Sequence, residues 1–273
     1  MATMLAPDDL ARLDLQRAGV ADSVSAGIEA LAVPANARVL ELGCGIGVLT
    51  TELMRLLPGA TLDAVDQDKH AIHVASERLR GQVTWHWAKA TDFLRSHAGY
   101  DLIVCRLFLM HQAAPAALMR TARRSLVPGG AFIAVEFDLG AALWWPTCAE
   151  LDRVLRAASV STALARTAGV AVPDPLLGRQ LGALARRSGY DRWDVHARSR
   201  TVVAGSEDIH QEAKNLIGVL AMLRPLLLST GHASGEDFDA VARLVNGWPD
   251  SPDFFALQTM FTLVASTDRE AEC

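Results

Sequence analysis

Between Arg38 and Glu136, short apolar runs rich in β-branched residues alternate with longer segments whose apolar positions recur at helical spacing. The runs predict strands over Arg38–Leu42, Thr61–Val65, Val83–Trp87, Leu102–Cys105 and Ala131–Glu136. They are apolar on both faces, as strands covered by helices on either side must be. This alternation builds a parallel sheet through right-handed helical crossovers. Punctuation agrees: Asp68 is placed to cap a helix running through Ala71, Val74 and Leu79 to a stop at Gly81, and "LVPGG" (Leu126 to Gly130) is a turn that ends another helix before the fifth strand.

After Glu136 the rhythm changes. A largely helical stretch runs to about Ser188, followed by two β-rich segments, "RWDVHARSRTVV" and "FFALQTMFTLVAST", with a long helix from about Glu207 to Leu228 and another after Gly235 between them. No repeat, low-complexity tract or linker divides the chain. The expected organisation is one domain, 1–273, with a cofactor-binding core over 30–138 and a helical lid over 140–187 and 207–247. A length of 273 residues is compatible with one core, and 51% hydrophobic against 21% charged residues is a globular composition.

Charge and cysteines narrow the classes. A net charge of -5, from 26 basic and 31 acidic side chains, offers no general attraction to nucleic acid or to an anionic membrane, so a small-molecule substrate is expected. "MATMLAPDDLARLDLQRAG" has no basic start followed by an apolar run, and so does not read as a secretory signal. "NLIGVLAMLRPLLLST" is interrupted by Arg224 and Pro225 and is too short to span a bilayer. Cys44, Cys105, Cys148 and Cys273 form no C-x-x-C pair, which points to a reduced, cytoplasmic protein. A homodimer is left open.

The most informative stretch is "RVLELGCGIGVLT". Gly43, Gly45 and Gly47 follow the first strand, but Val48 stands where a dinucleotide fingerprint needs its last glycine to admit a pyrophosphate. An acid precedes the turn, Glu41, and another ends the second strand, Asp66. A carboxylate at the second position accepts ribose hydroxyls, and one at the first suits an ammonium group but not a phosphate. The ligand suggested is a nucleoside carrying an amino acid.

"VLELGCGIG", "LDAVDQD", "YDLIVCRLFLMHQ" and "LVPGGAFIAVEFD", in this order and spacing, resemble the class I S-adenosylmethionine-dependent methyltransferases that modify small molecules. The resemblance covers roughly Arg38 to Asp138. It implies a Rossmann-like, seven-stranded α/β sheet, mostly parallel with the last strand antiparallel, helices on both faces and a helical lid. It also implies transfer of the methyl group of S-adenosylmethionine to an O-, N- or C-centre, with S-adenosylhomocysteine released. By that resemblance Glu41, Gly43, Cys44, Gly45, Gly47 and Arg106 belong to the cofactor site, Asp66 holds the ribose and Gln67 lies against the adenine. Many relatives carry Gly-Asp after the third strand; here Ala88 and Lys89 stand there, and Ala90 or Thr91 is left to make the adenine contact.

Methyl transfer is an in-line displacement, so alignment is the main contribution of the protein and no nucleophilic side chain is required. A hydroxyl or amide acceptor must lose a proton, and His111 is the candidate base, or else it caps a helix or shapes the substrate pocket. Arg106 faces the cofactor or an anionic substrate, or forms a structural ion pair. Glu136 and Asp138 orient the acceptor or cap the next helix, and Trp144 with Trp145 forms a substrate wall or packs. His70 and His73, one helical turn apart beside Asp66 and Asp68, superficially suggest a metal, but Asp66 is already assigned and no metal site is expected. Base methylation is disfavoured because the fourth strand ends in "VCRLF" and lacks an Asn/Asp-Pro-Pro-aromatic box. The alternative is a methyltransferase-like protein that binds the cofactor but catalyses a non-methylating reaction or serves as a binding partner, with Lys89 the feature behind it. A nicotinamide-dependent oxidoreductase comes third.

Overall fold

The computed structural model describes residues 18–79, 81 and 83–268. Nearly all of the N-terminal stretch read for a signal, and Cys273, lie outside the described residues. Helix α1 (Ala18–Glu29) leads into β1 (Arg38–Leu42), α2 (Val48–Leu56), β2 (Thr61–Asp66), α3 (Lys69–Arg78), β3 (Val83–Trp87), α4 (Ala90–Ser96), β4 (Tyr100–Arg106), α5 (Pro115–Ser125) and β5 (Leu126–Phe137). A short strand β6 (Leu143–Trp145) precedes α6 (Ala149–Thr167), α7 (Leu181–Arg187), β7 (Arg192–Val203), α8 (Ile209–Ser229), α9 (Gly235–Asn246) and β8 (Phe255–Ser266).

The five expected strands are present, three of them longer by a few residues. They pair in parallel in the order β3-β2-β1-β4-β5. β8 runs antiparallel to β5, Ala131–Phe137 against Met260–Ser266, and β7 lies antiparallel along the whole of β8. Among the described residues the sheet has eight strands where seven were expected. The additional one, β6, pairs Leu143–Trp145 with Phe255–Leu257, extending the edge of β8 that β5 leaves uncovered. "LVPGG" also differs from expectation: it falls inside β5, and Gly129 with φ 78° accompanies a shift of register against β4.

Strand side chains divide between faces with period two, as a pleated sheet requires. Val39, Leu102, Val104, Ile133 and Val135 pack with Leu49 and Leu53 of α2 and Val24 of α1. Leu40, Ile103, Cys105, Phe132 and Ala134 pack on the opposite face with Phe93 of α4, Leu118 and Met119 of α5, and Leu181 and Leu184 of α7. A separate cluster joins Trp144 of β6 to α6, α8 and α9 around the fully buried Trp248. Asp68 caps α3 by accepting from His70 N at 2.8 Å and Ala71 N at 3.3 Å. Ser234 and Asp237 form a reciprocal capping box at the start of α9. Among the described residues no helix is long and apolar enough to cross a membrane.

Candidate active site

A cavity of about 710 Å³ opens at the carboxyl ends of β1 and β4, beside the glycine turn, and runs to β6, α8 and β8. Its position follows from topology, since the loops beyond the carboxyl ends of parallel strands leave a crevice. β1 and β8 are separated by β4 and β5, so at ~4.8 Å per strand spacing the two ends of the crevice lie roughly 14 Å apart.

The turn itself is held from β2. Gly43 N and Cys44 N donate to Val65 O at 2.8 and 3.1 Å. The Asp66 carboxylate accepts from Gly45 N and Asp68 N, each at 2.8 Å. Gly43, Gly45 and Gly47 all take positive φ, at 71°, 51° and 83°. They differ in surroundings. A Cβ on Gly43 would run into the Phe108 ring and one on Gly47 would meet Leu79 at 2.8 Å, whereas around Gly45 there is open space. Gly45 therefore borders the cavity most openly. Glu41, on the same lining, is 1% exposed and accepts from Thr50 Oγ1 at 2.6 Å. Burial pushes its carboxyl up to about 8, with the nearby Asp66 carboxylate adding to the effect and Thr50 opposing it.

The second wall follows β4. Leu107 adopts φ 49°, a left-handed conformation strained for a leucine, and the chain reverses into a short 3-10 turn, Leu109–His111. Phe108 N and Leu109 N donate to Glu136 Oε1 at 2.9 and 2.6 Å. Glu136 is fully buried, and burial pushes its carboxyl up to about 8, against these backbone bonds and the charge of the half-buried Arg106. Desolvation lowers the Arg106 guanidinium to about 10, which the Glu136 charge opposes. Leu107, Met110 and His111 from this loop line the cavity.

The far wall comes from residues distant in sequence. Trp144 Nε1 and Gln258 Nε2 both donate to Glu212 Oε1 at 2.7 Å, linking β6, β8 and α8. Glu212 is buried and its carboxyl is raised chiefly by desolvation. Asp138, buried at the start of a 3-10 turn, accepts from Gly140 N at 2.9 Å and is gripped by Arg179 through Nε and Nη2, both at 2.6 Å.

Of the residues expected at the site, Glu41, Gly43, Cys44, Gly45, Arg106, His111 and Trp144 line the cavity. Gly47 and Asp66 shape the turn from behind. Gln67 and Thr91 are exposed at the carboxyl ends of β2 and β3, where the Gln67 carbonyl accepts from the Trp87 indole at 3.0 Å, while Ala90 packs against the core. Glu136, expected to touch substrate, is turned under the β4 loop because the reversed backbone at Phe108 and Leu109 leaves two N–H groups that need an acceptor. The lid is narrower than expected: β6 and α8 border the cavity, α6, α7 and α9 do not, and α7 covers a sheet face. Asn215, Gly218, Val219 and Met222, together with Gln258, Thr259 and Met260, were missed. The spacing of 215, 218, 219 and 222 is one stripe of a helix, but no local motif says what that stripe faces. Among the described residues no three His, Cys, Asp or Glu side chains converge as a metal site.

A mostly parallel sheet with a glycine turn and a crevice at its strand ends defines a Rossmann-like, nucleoside-binding α/β fold. Residues 40–132, about a third of the chain, match the model of a methyltransferase domain family. It is similar to the ubiquinone biosynthesis O-methyltransferase of Aromatoleum aromaticum, 35% identical over 100 residues that cover 35% of this chain and 42% of that protein. It is similar also to the enzyme of that name from Xanthomonas axonopodis pv. citri, 36% identical over 113 residues, 39% of this chain and 44% of the relative. The matches thus span about two fifths of the length of these curated relatives. In fold the chain is similar to the YcgJ protein of Bacillus subtilis, with TM-score 0.55, 20% identity, and 92% of this chain and 99% of that one covered. The [4+2]-cyclase SpnF matches with TM-score 0.50 and 15% identity over 94% of this chain and 82% of that one, so the fold by itself does not fix the reaction.

Proposed function

We propose that this protein transfers the methyl group of S-adenosylmethionine to a small-molecule acceptor and releases S-adenosylhomocysteine. The observation that carries this reading is the buried Glu41 carboxyl, on the lining with the openly bordered Gly45, at one end of a cavity that continues to a separate, mostly apolar wall. A buried acid gains most from a cationic ligand, and an amino-acid ammonium is the cation the cofactor offers. Asp66 fits the same ligand, because each of its oxygens accepts one backbone N–H and keeps lone-pair capacity beside the turn.

When bound, the cofactor supplies a methyl carbon activated by a sulfonium leaving group. The residues of the chain have three tasks. Glu41, the glycine turn and Asp66 hold the nucleoside amino acid. Leu107, Met110 and the far wall enclose the reaction and exclude water, which strengthens every electrostatic contact inside. His111, on the cavity lining, takes the proton that an O–H or N–H acceptor loses as its new bond to carbon forms, a contribution of about 10² to 10⁴ in rate. Free thiols at Cys44, Cys105 and Cys148 agree with a reducing, cytoplasmic setting. Calorimetric binding of S-adenosylhomocysteine, followed by transfer of label from methyl-labelled cofactor to a mixed pool of small phenols and amines, tests the proposal. Absence of binding overturns it, and binding with no labelled product favours a non-methylating reaction.

A further inference from the structure

We propose that the acceptor is an uncharged, largely apolar molecule read by two carboxamides, Asn215 as donor and Gln258 as acceptor. This rests on the methyl-transfer reading above and sharpens it.

The orientation of both amides follows from their partners. An indole N–H only donates, so Glu212 Oε1, which takes the Trp144 bond at 2.7 Å, is an accepting oxygen. The Gln258 group 2.7 Å from the same atom is therefore its NH₂, and the carbonyl oxygen of Gln258 is the end left for the cavity that this residue lines. On α8, one turn apart, Gln211 Nε2 donates to Asn215 Oδ1 at 2.7 Å, which leaves the NH₂ of Asn215 for the cavity. Reversing that pair would replace the one buried carbonyl oxygen of Gln211 that has no partner with a buried, unpartnered NH₂. Orphaned N–H groups are the rarer and costlier defect. Two supports outside the lining, Gln211 and Glu212, thus set a donor on α8 and an acceptor on β8, both on the lining of one cavity.

Charge at this end is already spent. Asp138 is held by both nitrogens of the Arg179 fork, and Glu212 lies buried behind Trp144 and Gln258. The lining at this end also includes the apolar Leu139, Val219, Met222 and Met260, and Thr259, whose hydroxyl pairs with Ser199 Oγ at 2.9 Å. The remaining charged lining groups, Glu41 and Arg106, stand at the β1 and β4 end with His111. A carboxylate, phosphate or ammonium on the acceptor would lose its hydration here and find no ionic partner. A neutral molecule that carries both a donor and an acceptor, such as a ring hydroxyl and a carbonyl, can meet both carboxamides. A wall built to hydrogen-bond also discriminates strongly against analogues that leave its groups unpaired.

The test uses the full chain saturated with S-adenosylhomocysteine. Matched pairs of hydroxyaryl carboxamides and hydroxyaryl carboxylates, on benzene, naphthalene and quinoline rings, are titrated by calorimetry and then offered with methyl-labelled cofactor. The carboxamides are expected to bind at least tenfold tighter and to take the label. Asn215→Leu and Gln258→Leu should each weaken carboxamide binding at least tenfold while S-adenosylhomocysteine affinity stays within twofold. Glu212→Gln, which retains an accepting oxygen, should preserve carboxamide binding better than Glu212→Ala. Tighter binding of the carboxylates, binding of neither class, or indifference to both leucine variants overturns the assignment. Failure of the unmodified protein to bind S-adenosylhomocysteine is a different result, read before any acceptor is added, and brings down the methyl-transfer reading itself.

Discussion

The two ends of the cavity are built on different plans. At the glycine end, Glu41, Gly43, Gly45 and Asp66 come from two adjacent parallel strands and the turn after the first, within 26 residues of sequence, and backbone N–H groups do much of the positioning. At the acceptor end, Trp144, Glu212 and Gln258 meet from three elements, with sequence separations of 68 and 46 residues across their hydrogen bonds. The first plan tolerates almost no local change. The second is a set of side chains on helix and strand surfaces, where single positions can be exchanged without disturbing the sheet. One end is suited to a fixed ligand and the other to a varied one, which agrees with a family-model match confined to residues 40–132.

The sharpest way to break this contrast is Asp66→Ala. Its carboxylate accepts from Gly45 N and Asp68 N, and hydrogen bonds to a charged group contribute about 1.5–3 kcal/mol each. Loss of about 3 kcal/mol from the turn predicts a fall of about 100-fold in S-adenosylhomocysteine affinity by calorimetry. Unchanged affinity would mean that the turn needs no support from β2.

Next in size is the pH dependence that Glu41 imposes. Its folded value of about 8 lies above the ordinary 4.5, so in the ligand-free protein its contribution to stability is fully present below about 4.5 and is lost as pH rises to about 8, while the unfolded chain ionises first. An ammonium ligand reverses the preference by favouring the carboxylate. S-adenosylhomocysteine should therefore bind about tenfold tighter per pH unit from about 6 to 8, with a proton released, and level off above that. Glu136 is also pushed up to about 8, so the assignment depends on Glu41→Gln, whose profile should be flat in calorimetry across the same buffers.

The same contrast explains what the sequence made legible. Strands β1 to β5 were readable because doubly buried strands are nearly uninterrupted apolar runs, and the turn was readable because three glycines with two flanking acids form a local pattern. The short β6 was not, since three residues carry no periodicity and its pairing is decided by β8, more than a hundred residues on. The bonds of Glu136 to the β4 loop were not legible, because nothing in "CRLFLMHQ" announces that Leu107 takes a positive φ and turns two amides toward that carboxyl. Asn215 and Gln258 were invisible for a related reason. An amide on an amphipathic helix or strand looks like any solvated polar residue until its neighbours are known.

The smallest expected effect is at Trp144. Trp144→Phe keeps an aromatic wall beside Leu139 but removes the indole N–H that donates to Glu212 at 2.7 Å. Glu212 retains its bond from Gln258, so the buried carboxyl is not left wholly without a donor, and the loss should be about 1 kcal/mol, nearer that of an ordinary hydrogen bond than of a stranded charge. With one of its two partners gone, Glu212 holds the Gln258 amide less firmly, which predicts an acceptor KM raised about fivefold. S-adenosylhomocysteine affinity should stay within twofold, because the glycine end is held by its own backbone bonds. Steady-state kinetics with calorimetry separates the two. A Trp144→Phe protein that loses cofactor affinity as much as acceptor affinity would show that the two ends are one mechanical unit and not two.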